Sequence, residues 1–366
     1  MAADRFAVRR EKLLRQLKRK GVDALLVSSF TNVTYLTGFS GDSSLLLIGR
    51  DQTVLISDSR YMVQIQDECP GLKSYIRSNR VSLNEASGKV IRWAKLLKLG
   101  IESHSLTVEQ YEGLKKDLKS LELVSISGAV EELRQIKDAA EIASIRQAVR
   151  TAEQGFSMLR ASLVGRMTER EMAHELEQSM RRFGARGAGF EPIIAVGARA
   201  ALPHARPTQT RISQADFLLV DWGAGNWDGY KSDLTRVLVT GRISTKLEKI
   251  YRVVLKAQLR GIGAIRPGAR CCDVDQAARS VIEQAGFGRR FGHGLGHGMG
   301  LEIHEGPRLS PTSKSVLKPG MVVTVEPGIY WPGWGGVRIE DDILVTRDGC
   351  EVLTSVPKDF DEAVVG

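Results

Sequence analysis

The chain has 366 residues, of which 42% are hydrophobic and 26% are charged, close to the averages of folded globular proteins. This composition excludes a disordered chain, a collagen and a coiled coil, and the length suffices for two or three domains without disulfide bonds. We find no apolar run long enough to span a membrane, no secretory signal and no CxxC pair among the four cysteines. These features predict a cytoplasmic protein without a membrane partner or a cysteine zinc site.

The net charge of +9 raises the question of a nucleic-acid partner. Eight of the cations lie within residues 1–20, where Phe6, Leu13, Leu14 and Leu17 have the spacing of one helical face. We therefore interpret these cations as the solvated side of a helix and expect no nucleic-acid partner. A nucleic-acid binder remains an alternative that rests on charge alone.

Short apolar runs alternate with helical segments in the first third of the chain. A helix is predicted at Glu85–Lys98, and the segment Asn32–Ser40 is rich in turn-forming residues. Strands are predicted at Val22–Ser28, Ser44–Ile48, Val54–Ser57, from Ile101 onward, and at Leu121–Ile126. Strands separated by helices predict an α/β domain over residues 1–130.

Two long helices are predicted next, at Asp138–Leu163 and Thr168–Phe183, the second with a capping box formed by Thr168 and Glu171. From Phe190 onward, apolar runs alternate with glycine, aspartate and proline turns, which favours antiparallel strands. Within this region helices are predicted only at Thr245–Ala264 and Cys272–Ala285.

Histidines are concentrated in one glycine-rich stretch. Three of the six, His293, His297 and His304, lie within HGLGHGMGLEIHEG, and His204 precedes them in ALPHARPT. The glycine content disfavours a helix. It predicts a strand or loop whose backbone closely approaches a ligand.

Four carboxylates stand at the ends of apolar runs: Asp221, Asp233, Glu326 and Glu340. The segment GAGNWDG predicts a hairpin that brings Asp221 near Asp233. Because buried acids need partners, a pair of divalent cations would satisfy several of them at once. Carboxylates with one histidine suit Mn²⁺, with Co²⁺ or Zn²⁺ as alternatives, and this set predicts metal-assisted hydrolysis.

The motifs VDWGAGNWDGYKSDLTR, HGLGHGMGLEIHE, VTVEPGIY and GVRIED, in this order, resemble the pita-bread metallopeptidases, above all the Xaa-Pro aminopeptidases and prolidases. NVTYLTGFSG and DSRYMVQIQDE resemble the creatinase-like first domain of that subgroup. The resemblance implies a creatinase-like α/β domain over residues 1–130. It further implies an α+β catalytic domain of pita-bread fold over residues 131–366, with a curved antiparallel sheet backed by helices, and a homodimer.

The resemblance also implies a set of metal ligands. Asp221 would bind one metal ion, Asp233 and Glu340 would bridge both ions, and His297 and Glu326 would complete the second site. Glu326 would in addition shuttle a proton beside a hydroxide that bridges the two metals.

Further roles are implied for residues around these ligands. His304 would bind the substrate carbonyl and stabilise the tetrahedral intermediate. His204 and His293 would line the substrate site, with His293 also counted among the catalytic residues. Arg338 would anchor the substrate or support the metal ligands, and Tyr330 would lie close by.

The roles of the WPGWGG loop and of the spacing between the two aspartates depend on the tertiary structure. Trp334, in the loop WPGWGG, is a candidate wall of a proline pocket, because tryptophan and glycine together shape a rigid apolar rim. Asp221 and Asp233 are twelve positions apart, one more than the family usually shows. We place the additional residue at the hairpin tip, because a bulge within a strand would turn Asp233 outward.

These residues together predict a dinuclear-metal Xaa-Pro aminopeptidase that acts on proline-containing peptides. A prolidase limited to Xaa-Pro dipeptides is the first alternative, because the ligand motifs do not separate the two activities. The creatinase-like first domain disfavours a methionine aminopeptidase. A peptide-binding module without metals is also disfavoured, because all five ligand positions are filled.

Overall fold

A computed structural model describes residues 4–365 of the chain. The chain divides into two units between Arg134 and Gln135, whereas the sequence analysis placed the domain boundary after residue 130. No helix within residues 4–365 has the length and apolar composition needed to cross a membrane.

The first unit is built on a six-stranded mixed sheet with helices between its strands. The elements are α1 Arg5–Arg19, β1 Ala24–Val27, α2 Phe30–Thr37, β2 Leu45–Gly49, β3 Thr53–Asp58, α3 Met62–Glu68, β4 Lys73–Arg77, α4 Leu83–Ala94, β5 Lys98–Glu102, α5 Val108–Asp117, β6 Glu122–Ile126 and α6 Ala129–Arg134. The strand order is β4-β3-β2-β1-β5-β6, in which β2 runs antiparallel to β1 and β3 and the other neighbours are parallel. This confirms the predicted α/β class.

Helix α2 occupies most of the segment that the sequence analysis described as turn-rich. It ends at Gly38, whose φ of +83° is a conformation that glycine adopts readily. Its N-terminus is capped by Glu102, whose carboxylate accepts hydrogen bonds from the backbone N–H groups of the two residues before the helix, Ser28 (2.7 Å) and Ser29 (2.8 Å). A cap supplied from more than 70 residues away leaves no signal in the local sequence, which explains the wrong prediction.

Helix α1 buries Leu13 and Leu17, as its apolar spacing predicts. Arg9, which we had assigned to the solvated side, is instead only 5% exposed. It donates a hydrogen bond to the carbonyl oxygen of Tyr35 (3.0 Å), and its guanidinium lies 4.1 Å from the centroid of the Tyr35 ring. This cation therefore serves packing within the unit.

The second unit contains antiparallel sheets backed by helices. The elements are α7 Ala139–Ser162, α8 Glu169–Arg182, β7 Gly187–Ala188, β8 Ile193–Val196, β9 Phe217–Trp222, β10 Ala224–Gly225, β11 Leu234–Val239, α9 Thr245–Ala264, α10 Cys271–Gln284, β12 Gly296–Gly298, β13 Glu305–Leu309, β14 Val322–Val325, β15 Gly328–Trp331, β16 Gly335–Arg338, β17 Asp341–Val345 and β18 Cys350–Val352. One sheet has the order β11-β9-β8, another has the order β13-β12-β14-β17-β18, and β15-β16 and β7-β10 form two-stranded pairs.

The four helices predicted for this region are present, and Thr168 forms the predicted capping box with Glu171. Helices α9 and α10 share one core with the odd-numbered side chains of β9 and β11, including Leu219 and Val237. Trp222 faces the other side of the sheet, where it stacks on Phe156 of α7 at a centroid distance of 4.1 Å. Because side chains alternate along a strand, Asp221 lies on the same face of β9 as Leu219, which packs in the core shared with α9 and α10.

Candidate metal centre

The two aspartates of the hairpin face the same side of the sheet. Asp221 lies opposite Thr235 in the β9–β11 ladder, and an isolated bridge between Gly225 and Lys231 continues the same register. Asp233 is two positions from Thr235 and therefore shares its face. The turn consists of residues 226–230, so the additional residue lies at the tip and leaves both strands regular.

Glu340 joins the two aspartates across a junction between sheets. It forms an antiparallel bridge with Thr235, whose hydroxyl donates a hydrogen bond to Glu340 Oε2 at 2.6 Å. Ligand atoms of Asp233, His297 and Glu340 all lie within 4.8 Å of one another, and all three residues are buried. His297 of β12 and the residues immediately before β11 and β17 thus converge on one point.

His297 presents one ring nitrogen to this group. Its Nδ1 lies 3.1 Å from the carbonyl oxygen of Gly298, which requires the proton on Nδ1 and directs Nε2 toward the carboxylates. Nε2 lies 3.3 Å from Glu326 Oε1 and 3.7 Å from Asp233 Oδ2. Acceptor atoms that face one another at these distances call for a cation or a proton between them.

The glycines around His297 allow β12 to approach neighbouring backbone. A Cβ atom on Gly296 would lie 2.0 Å from the carbonyl oxygen of Thr324, and one on Gly298 would lie 2.0 Å from that of Gly306. The predicted strand is present, and these two glycines permit close packing between strands. Gly296 also lines the cavity that contains the predicted metal ligands, so the expected approach to a ligand stays a prediction.

Burial disfavours the ionised form of three of the acids and raises their pKa values. The pKa of Asp233 is held well above its usual value by burial and by the charge of Glu340, and that of Glu340 by burial and by the charge of Glu326. Burial also raises the pKa of Asp221 although Arg338 opposes it, and Asp221 Oδ1 is buried without a hydrogen-bond partner in residues 4–365. An unpartnered carboxylate oxygen beside clustered acids fits the ligand set of divalent metal ions.

Glu326 differs from the other acids. Burial raises its pKa, but the hydrogen bond and the charge of His297 outweigh burial, and the pKa is lowered. The hydroxyl of Thr324 also donates to Glu326 Oε1 at 3.3 Å. Glu326 is thus the acid of the cluster that these surroundings keep ionised.

A cavity of about 610 Å³ contains all five predicted metal ligands in its lining. The other predicted residues that line it are His204, His293, His304, Tyr330 and Arg338. The structure therefore brings together ten of the eleven side chains that the sequence analysis singled out as site residues.

A chain of hydrogen bonds supports the cavity wall. Arg338 contacts Asp221 Oδ2 through Nη2 and donates from Nη1 to the Tyr330 hydroxyl at 2.8 Å. The Tyr330 hydroxyl lies 2.9 Å from His293 Nε2, while His293 Nδ1 lies 2.7 Å from the carbonyl oxygen of Gly294. Since that carbonyl requires the proton on Nδ1, the Tyr330 hydroxyl donates to Nε2 and a neutral His293 completes the chain. Burial raises the pKa of Tyr330 to about 12, which keeps this hydroxyl protonated.

His304 lies beside His297, with ring centroids 4.4 Å apart and an interplanar angle of 80°. Desolvation, followed by the charge of His297, lowers the pKa of His304 to about 4. His304 is therefore neutral near pH 7, and it can offer a hydrogen bond to a substrate oxygen without carrying charge.

The structure places Trp334 outside the cavity lining. Its ring packs against Phe217 at a centroid distance of 5.3 Å, and Lys246 Nζ lies 4.6 Å from its centroid. The proposed role as a pocket wall is corrected accordingly: the turn between β15 and β16 directs Trp334 toward the core that α9 shares with the sheet.

Several cavity residues were missed by the sequence analysis. Phe190, Ile303 and Arg308 line the cavity, and Thr235 binds Glu340 from behind the ligands. The alternation of β11 would have placed Thr235 on the face of Asp233. For the other three, the local sequence offers no comparable signal.

A second group of potential ligands lies in the first unit and comprises Glu102, His104 and Glu131. Glu102 is occupied as the cap of α2, and His104 Nε2 already lies 2.9 Å from Glu131 Oε1. These contacts account for the grouping without a metal ion.

Comparison with known proteins gives consistent matches along the chain. Residues 143–347 match the model of metallopeptidase family M24, and residues 9–136 match the creatinase/prolidase N-terminal domain. An Xaa-Pro dipeptidase of Pyrococcus horikoshii is 35% identical over 96% of this chain and 97% of its own length.

Two solved structures are similar over nearly the whole chain. An Xaa-Pro dipeptidase from Bacillus anthracis superposes with a TM-score of 0.93 at 38% identity, covering 97% of this chain and 99% of the other. An X-Pro aminopeptidase from Thermotoga maritima superposes with a TM-score of 0.86 at 34% identity, covering 94% and 99%. These matches confirm the predicted combination of a creatinase-like domain and a pita-bread domain.

Proposed function

This chain belongs to metallopeptidase family M24, and on that premise we propose that it is an Xaa-Pro dipeptidase dependent on two divalent metal ions. The observation that carries this proposal is the convergence of five potential ligands on one cavity wall. Within that group, His297 Nε2 lies 3.3 Å from Glu326 Oε1 and 3.7 Å from Asp233 Oδ2. The ligands are Asp221, Asp233, His297, Glu326 and Glu340.

The sequence alone favoured an aminopeptidase, with the dipeptidase as its alternative. We now prefer the dipeptidase, because relatives that bear this name match nearly the full chain at 35–38% identity. The Thermotoga maritima structure, at 34% identity, supports an Xaa-Pro aminopeptidase as the second candidate. Both activities attack the same bond and differ in whether the chain may continue after proline.

The bond before proline is a tertiary amide that has no N–H group. When bound at these ligands, divalent ions would supply Lewis-acid polarisation of the scissile carbonyl and would lower the pKa of water. Glu326, which its surroundings keep ionised, accepts at a carboxylate oxygen a proton from the water that attacks the scissile carbonyl carbon, and it delivers this proton to the proline nitrogen as the C–N bond breaks. His304, neutral near pH 7, donates a hydrogen bond from its ring to the carbonyl oxygen as negative charge develops there.

Arg338 and Tyr330 act in this scheme as orienting groups. Arg338 fixes Asp221 by direct contact, and it holds the Tyr330 hydroxyl against His293. Because Asp221 Oδ1 is left free of hydrogen bonds by this arrangement, it remains available to a metal ion.

Further details of the proposal have separate tests. The oxygen-rich ligand set supports Mn²⁺ as the native ion, which metal analysis of protein from unsupplemented cells would decide. We also propose a homodimer in the cytoplasm. Light scattering would measure the mass in solution, and cell fractionation would measure the location.

The decisive experiment compares Ala-Pro with Ala-Pro-Ala-Ala as substrates of the Mn²⁺-loaded protein, with released alanine measured by mass spectrometry. We expect cleavage of Ala-Pro and little cleavage of the tetrapeptide. Ala-Ala controls for the requirement for proline, and D233N protein prepared in parallel controls for contaminating peptidases. Comparable cleavage of both peptides would establish the aminopeptidase instead, and cleavage of neither by metal-loaded protein would refute the proposal.

A further inference from the structure

The side of the metal-ligand strands that faces away from the cavity carries a buried ion pair. Glu340 lines the cavity and its carboxylate accepts a hydrogen bond from Thr235, whereas the next residues in sequence, Arg236 and Asp341, point to the opposite side. Arg236 Nη1 donates to the carbonyl oxygens of Thr235 (2.9 Å) and Glu340 (2.6 Å), and Nη2 donates to Asp341 Oδ1 (2.7 Å). One guanidinium therefore holds the junction at which Glu340 meets β11.

The segment after β18 packs against this guanidinium. Arg236 Nη2 also donates to the carbonyl oxygen of Val356 at 2.6 Å, and Nε donates to that of Pro357 at 3.2 Å. Arg236 is only 3% exposed, so these carbonyls complete its hydrogen bonding in place of water.

The same segment supplies partners for Asp341. The hydroxyl of Thr354 donates to Asp341 Oδ1 at 2.7 Å, and Lys358 Nζ donates to Asp341 Oδ2. Gln258 of α9 donates to Oδ2 at 2.7 Å and accepts from Lys358 Nζ at 3.0 Å. The carboxylate of Asp341 is 1% exposed, so its charge is balanced by Arg236 and Lys358.

We propose that residues 354–358 form a positioning element of the metal centre, in which Thr354 and Lys358 act through Asp341 and Arg236 to fix the main chain of Glu340. This inference rests on the proposed function only in taking Glu340 as a metal ligand. None of these five residues lines the cavity. Their effect on the metals is therefore transmitted through the buried ion pair.

The test is a Co²⁺ titration of metal-free protein followed by visible absorption, a readout that is independent of turnover. Lys358→Met removes the ammonium group but keeps the length of a side chain that is 21% exposed, and Thr354→Val removes one hydroxyl. We expect either change to weaken Co²⁺ binding about 10-fold, as is typical when a group supporting a metal ligand is lost. Lys358→Arg, which retains the cation, should recover most of the affinity.

Arg146→Met is the matched control. It removes the ion pair of Arg146 with Glu351, 2.6 and 2.7 Å, which ties α7 to β18 without contact to Asp341. We expect this variant to bind Co²⁺ like the wild type. Wild-type affinity in both K358M and T354V, or an equal loss in R146M, would overturn the proposal.

The failure of this inference is distinguishable from failure of the proposed function. Wild-type protein that binds Co²⁺ but leaves Ala-Pro intact would refute the dipeptidase, while the comparison of metal affinities would still decide the role of residues 354–358. Wild-type protein that binds no Co²⁺ would refute both.

Discussion

Asp221 and Asp233 face the same side of one antiparallel ladder, although the turn between them is one residue longer than the resemblance to the family leads one to expect. The pairing of Gly225 with Lys231 shows that the register is unbroken up to the turn. The additional residue lies in the turn, where side chains need not alternate between faces, and the two carboxylates therefore remain on the same face of the ladder.

Deletion of Trp227 should therefore be tolerated. This residue is 75% exposed in the turn, and its loss shortens the turn while leaving the ladder in register. We expect bound metal and Ala-Pro cleavage within about twofold of wild type, because changes at exposed positions outside the core and the metal site usually have small effects. Insertion of an alanine between Asp233 and Leu234 should instead abolish metal binding, since it would turn Asp233 to the other face. Equal behaviour of the two variants would contradict the assigned register.

Neutralising one central acid should weaken metal binding while it stabilises the metal-free protein. In D233N or E340Q protein we expect bound metal, measured by elemental analysis, to fall and activity to be lost. The metal-free variant should nevertheless melt higher than metal-free wild type, by about 2 °C or more, because one of several mutually repelling buried carboxylates becomes neutral. A lower melting temperature in both variants would argue that the acids are not under electrostatic strain without metal.

The pH dependence of stability follows from the same acids. Their pKa values in the folded protein are raised above the unfolded values, so the folded state holds more protons above about pH 4. The metal-free protein should accordingly lose stability as the pH rises from about 4 through the raised pKa values. Bound Mn²⁺ replaces these protons and should flatten the profile, as measured by melting temperature between pH 5 and 8 in EDTA and in Mn²⁺. Parallel profiles under the two conditions would count against this explanation.

His304→Ala should keep the metal ions and lose turnover. His304 is neutral near pH 7 and donates to the substrate in the proposed scheme, so we expect kcat to fall about 100-fold or more, the usual cost of losing such a donor. Elemental analysis should show unchanged metal content. His174→Ala, in α8 and outside the lining of the catalytic cavity, is the matched control and should retain kcat. Loss of metal from H304A would instead identify His304 as a ligand.

The sequence alone predicted much of the site because its signals are short-range. Acids at the ends of apolar runs and histidines among glycines pointed to a metal site, and all of these side chains line the cavity. Helix α9 runs over Thr245–Ala264 as predicted, since apolar periodicity and capping are encoded within a few turns. Beyond these signals, the assignment of individual roles depended on family resemblance.

Tertiary structure decided what depends on residues distant in sequence. Glu102 caps α2 across more than 70 positions, and Trp334 turns to the core because Phe217 lies there. Lys358 contacts Asp341 behind the cavity because β18 pairs with β17 and brings the following segment back along it. Local preferences set which segments form helices and strands. The partners of a buried charge are set by chain packing, because a group removed from water must be satisfied by whatever residues the fold brings beside it.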